Sequence, residues 1–115
     1  MNKLILKQEV LDAYDGYVKA FIKGDTKEVE NYLSFPNYRF HDGKIIELNE
    51  FHSNLNELKN RGYKDTIALS IDVVEINEEK AHLVLKEALR VKDKNEPLEE
   101  ISSFYILLKK AINGK

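Results

Sequence analysis

Tyr17-Val18-Lys19-Ala20-Phe21-Ile22-Lys23-Gly24-Asp25 decides how this chain folds: an apolar-faced helix stops at Gly24 and a second helix begins at Asp25. Upstream, Leu6, Val10, Ala13, Tyr14, Tyr17, Val18 and Phe21 recur at helical spacing, with Lys7, Glu9, Asp12, Asp15 and Lys19 on the other side. Glycine just past the last periodic residue is a helix stop. Asp25 then predicts an N-cap, with Glu28 in capping-box position and Val29, Tyr32 and Leu33 on one side. Pro36 blocks continuation.

Two extended runs, Tyr38 to His41 and Lys44 to Leu48, flank Asp42-Gly43, the two-residue hairpin signal. Asn49 is expected to cap a third helix with Phe51, Leu55 and Leu58 buried and Gly62 at its end. After Tyr63 the period changes to two, with Ile67, Leu69, Ile71 and Val73 alternating with polar or small residues. Three long strands are expected at about 64–76, 81–92 and 98–110, joined by short polar segments as an antiparallel meander. In the last strand Phe104, Ile106 and Leu108 lie on one face and Ile101, Tyr105 and Leu107 on the other. A sheet with one wet face would not carry both sets, so the outer face is expected to meet a second subunit in a homodimer.

The 115 residues form a single expected domain, 1–115, large enough to bury roughly two-thirds of its unfolded surface. Cysteine is absent, which excludes disulfides and thiolate chemistry and fits a reducing, cytoplasmic compartment. Lys and Arg total 18 against 20 Asp and Glu, and the signs alternate without blocks. That pattern offers no footprint for nucleic acid or an anionic membrane, and Lys109-Lys110 with Lys115 reads as a solvated terminus. Leu4-Ile5-Leu6 is too short for a signal peptide or a membrane span.

The order helix, helix, hairpin, helix, long antiparallel strands resembles the NTF2-like superfamily over nearly the whole chain. Tyr17-Val18-x-Ala20, then Gly24-Asp25, Leu33, Pro36 and Asp42-Gly43, are similar to its SnoaL-like and ketosteroid-isomerase-like branch. The resemblance implies an α+β, NTF2-like (cystatin-like) cone, with three N-terminal helices packed in a strongly bent antiparallel sheet. It places Tyr17 where the steroid-isomerase members carry a tyrosine that hydrogen-bonds the developing oxyanion. Where they carry a proton-transferring aspartate, this chain has His41. The second acid of their oxyanion site has no counterpart in Ser102-Ser103-Phe104-Tyr105-Ile106. Related proteins continue past a Gly-Lys like Gly114-Lys115 into a final strand, which this sequence does not include.

Three residues carry the candidate chemistry. Tyr17 is a buried phenol donor or a core filler. His41 titrates near neutrality and can serve as a base. Strand alternation turns it outward if Tyr38 and Phe40 face inward, and a bulge near Pro36 turns it back. Glu87 shares parity with Leu83, Leu85, Leu89 and Val91, so it is either a pocket acid or a residue turned outward by a bulge, or paired with Lys86 or Arg90. Tyr14, Phe21, Phe35, Tyr38, Phe40, Phe51, Leu55 and Phe104 would line a cavity if one is left unfilled, and are otherwise core. His52 reads as a helix-surface residue, and His82 has no second ligand at metal spacing, so neither a metal nor another cofactor is implied.

Three functions compete on these residues. One is an isomerase, cyclase or dehydratase acting on an apolar carbonyl compound, with His41 as base, Tyr17 as donor and Glu87 as auxiliary acid. Another is a module that binds a small apolar molecule without converting it. In the third, the outer sheet face carries the function and the cone is filled.

Overall fold

Helix α1 (Lys3–Lys23) buries Val10, Ala13, Tyr14, Tyr17, Val18 and Phe21, the stripe that the 3.6-residue period predicts. It closes where Gly24 N–H donates to the Phe21 carbonyl at 3.1 Å, with Gly24 at φ +79°, a conformation glycine adopts without a Cβ clash. Asp25 caps α2 (Thr26–Tyr32): its carboxylate accepts the Glu28 N–H at 3.0 Å. The computed structural model describes residues 3–41, 43–51, 54–76 and 80–108.

Two of the helices precede the sheet, but the third is inserted after its first hairpin, so the helices are not grouped at the N-terminus. Helix α3 (Leu55–Asn60) also starts later than expected. Asn54, not Asn49, is its cap, accepting the Glu57 N–H at 3.0 Å. Asn54 offers the same spacing to a glutamate three residues on, directly ahead of the buried Leu55 and Leu58. Phe51 therefore stands before the helix, half-buried, edge-on to Phe21 with ring centres 6.0 Å apart.

Strands β1 (Asn37–His41), β2 (Lys44–Leu48), β3 (Asp65–Ile76), β4 (Lys80–Val91) and β5 (Pro97–Leu108) form one antiparallel sheet in the order β2-β1-β5-β4-β3. His41 pairs with Lys44, so two residues connect β1 to β2; Gly43 has φ +72°, and Asp42 lies outside the described residues. A single 3-10 turn, Asp93–Asn95, joins β4 to β5. The core is the α1 stripe with Val29, Leu33, Leu55, Leu58 and Tyr63, set against Ala81, Leu83, Leu85 and Ala88 of β4. Leu83 and Leu85 are fully buried, each contributing roughly 1.5–3 kcal/mol.

Alternation breaks at identifiable places. Between Leu85 and Ala88, β4 advances three residues while β5 advances two, from Ser103 to Ile101. That is one extra residue, a β-bulge, and Lys86 and Glu87 are both exposed there. On β3 the pairing skips Leu69 and Val74, and these two are the exposed apolar residues of that strand, at 53% and 60%. The expectation that Leu69 shares a buried face with Ile67, Ile71 and Val73 fails for this reason.

Candidate functional site

Tyr105 fixes which side of the sheet meets the helices. Its ring lies 6.1 Å from that of Tyr14 and 5.4 Å from that of Tyr17, both on α1. Alternation then turns its neighbour Phe104 to the opposite side. Tyr38 pairs with Phe104, with ring centres 6.0 Å apart, and the His82 ring is 5.8 Å from Phe104. Arg39 pairs with the buried Ser103 and so shares the helix-packed side with Tyr105. The side chains of β1 are thus phased opposite to an arrangement with Tyr38 facing the helices.

Aromatic groups fill the interior between α1 and the sheet. Tyr17 packs against Tyr14 at 5.9 Å and Phe21 at 6.1 Å, and Phe21 against Tyr63 at 5.5 Å. What space remains beside Tyr17 is a cavity of about 30 Å³, bordered by Asn37, Arg39, Arg90, Ser103 and Tyr105. It holds about one water molecule. Burial holds the Tyr17 phenol protonated far above the usual tyrosine range, the neighbouring Tyr105 phenol adds to the shift, and Arg90 opposes it. Tyr17 is accordingly a hydrogen-bond donor at neutral pH and not a base.

A larger cavity of about 270 Å³ lies between α3 and the strands. Arg39, Arg61 and Arg90 line it, together with Glu57, Glu99 and Glu100. Arg90 is the deepest of these, with a side chain 7% exposed. Its Nη1 donates to Glu99 Oε1 at 2.6 Å, and its guanidinium carbon stands 5.2 Å from the centre of the Phe21 ring. Glu99 also accepts a looser contact from Arg61 Nη2 at 3.7 Å. Arg39 and Arg90 border both cavities, so they stand between the tyrosine cluster and the open space.

The residues singled out from the sequence are distributed as follows. Tyr17, Tyr14, Phe21 and Leu55 are buried in the core, and Phe35 and Phe51 pack against it half-buried. Phe40 borders the larger cavity from a strand position that shares the side of Tyr38, and Tyr38 and Phe104 meet on the far side of the sheet. Glu87 is exposed at the bulge, in the outward orientation. His41 ends β1; its side chain lies outside the described residues, as do those of Ile106 to Leu108, on which the homodimer face was read, and the whole of His52. Sequence reasoning passed over Arg39 and Arg90 as site residues. An arginine between Leu89 and Val91, in the most apolar strand of the chain, was the available signal.

Among the described residues no helix is long and apolar enough to cross a membrane. No protein-family model matches the chain, and comparison with curated proteins gives no match.

Proposed function

We propose that this chain is an NTF2-like domain, similar to the SnoaL-like and ketosteroid-isomerase-like branch, that holds a small molecule in the arginine-lined cavity without converting it. The element order and the single antiparallel sheet over α1 support the fold assignment. The bulges in β3 and β4 support the bent, cone-like form of the sheet, since such residues increase local bending and twist. One observation carries the function: a cavity of about 270 Å³ is left open beside a core whose aromatic interior is packed. Its size approaches that of ordinary small-molecule sites. The wholly apolar ligand expected from the sequence would desolvate charged walls there, so the ligand has a polar end.

One observation favours binding over catalysis: the Tyr17 phenol is packed among other rings with room for about one water, so the donor of the isomerase reading has no space beside it for a substrate carbonyl. Glu87, the auxiliary acid of that reading, is exposed. The test is an NMR screen of the purified, isotope-labelled protein against neutral and charged small molecules, with recovery of each ligand that binds. The expected result is perturbation of Phe40, Leu58 and Ile101 resonances and an unchanged ligand. A chemically altered ligand would overturn the non-catalytic reading, and binding that leaves these three residues unperturbed would overturn the cavity assignment.

A further inference from the structure

Arg39 and Arg90 share an unusual condition: the Nε of each is buried without a hydrogen-bond partner from the protein. Arg90 commits Nη1 to Glu99. The Arg39 side chain makes no hydrogen bond or ion pair among the described residues. A guanidinium N–H withdrawn from water and left unused is costly, and the group that best satisfies that edge of an arginine is planar, anionic and two-oxygened. Both side chains border the same two cavities.

The charges around them narrow the class of anion. Glu99 serves Arg90 at 2.6 Å and Arg61 at 3.7 Å, which leaves Arg39 without a counter-charge of its own. Glu57 and Glu100 line the larger cavity as water-exposed side chains, and a second negative charge on a ligand would meet them. One negative charge therefore fits, and a phosphate dianion does not. Leu58 and Ile101 supply the apolar wall.

Resting on the cavity reading above, we propose that the site takes a small organic monocarboxylate. Its oxygens engage the guanidiniums of Arg39 and Arg90, and its apolar body lies against Leu58 and Ile101.

The experiment titrates wild-type protein with phenylacetate, with its neutral counterpart phenylacetamide and with inorganic phosphate, following the arginine Nε–H resonances and the melting temperature. Phenylacetate is expected to shift the Arg39 and Arg90 Nε–H signals saturably and raise the melting temperature; phenylacetamide is expected to do neither. Arg39→Gln is expected to weaken phenylacetate binding about ten- to a hundredfold, the loss of hydrogen bonds to a charged group. Equal binding of acid and amide overturns the carboxylate assignment while leaving the cavity as a ligand site. Phosphate shifting the same two signals at lower concentration than phenylacetate overturns the monoanion argument. No response to any of the three probes overturns the inference. If Arg39→Gln does not fold, the Nε–H shifts in the wild type decide alone.

Discussion

The guanidinium of Arg90, on the sheet, lies over the ring of Phe21, on α1, at 5.2 Å. This cation is held at the centre of the fold by a helix aromatic on one side and by Glu99 of the neighbouring strand on the other. Such an arrangement is sensitive to which partner is removed, because a buried charge left alone costs more than a pair removed cleanly.

Glu99→Ala strips the counter-charge from a buried arginine and is expected to cost about 1–3 kcal/mol. Arg90→Met keeps much of the packing against Phe21 and leaves Glu99, 31% exposed, to Arg61 and water, so it is expected to cost less. Urea denaturation of both variants measures the order. The reverse order would mean that Arg90 is not a desolvated cation.

Burial raises the Tyr14, Tyr17 and Tyr63 phenols above the ordinary value of 10.0. Above about pH 10 the unfolded chain loses these protons while the folded protein keeps them, so the unfolded state binds fewer protons and stability falls as pH rises. Each such tyrosine contributes a slope of up to about 1.4 kcal/mol per pH unit. Tyr14→Phe should lessen the decline between pH 10 and 11 by about 1 kcal/mol in urea titrations, since the unfolded phenol is only half ionised at pH 10. An unchanged slope would show that Tyr14 ionises in the folded state as it does in the unfolded one.

Two caps hold the short helices, and one expected cap does not exist. Asp25→Ala and Asn54→Ala should each cost about 1 kcal/mol, whereas Asn49→Ala, outside any helix, should fall within about 0.5 kcal/mol of wild type. Thermal denaturation separates the three. A loss at Asn49 equal to that at Asn54 would place the start of α3 earlier.

Leu69 and Val74 project from skipped positions of β3, while Leu83 and Leu85 are fully buried. Leu69→Thr is expected to change stability by less than about 0.5 kcal/mol, and Leu83→Ala to cost about 2–5 kcal/mol. Comparable losses from both substitutions would mean that β3 pairs without the skip.

Much of the fold was legible because it rests on local rules. The α1 stripe, the Gly24 stop, the Asp25 cap and the three long strands follow from spacing, and each is within a few residues of its expected position. The site was not legible, because strand phase is not local. Glu87 shares the parity of Leu83 and Leu85 in the sequence, but one residue of β4 in excess over β5 transfers the inward phase to Ala88 and Arg90. The same blindness applies to β1, where reading Tyr38 inward because it is aromatic hid the inward arginine next to it. Whether an aromatic-lined space stays open also depends on packing, and here Tyr105 closes it against Tyr14 and Tyr17.

The extra residue in β4 also separates shape from chemistry. With Glu87 deleted, the strand would run Leu85 inward, Lys86 outward, Ala88 inward, Leu89 outward, Arg90 inward, so every helix-facing group of β4 keeps its side while Ser70 of β3 loses its partner. Lys86 would then stand opposite Ser102 in an uninterrupted ladder with β5, a pairing that cross-strand nuclear Overhauser effects detect. In this fold the number of residues in a strand acts on curvature and the identity of Arg39 and Arg90 acts on charge, so a deletion probes the one and a substitution the other.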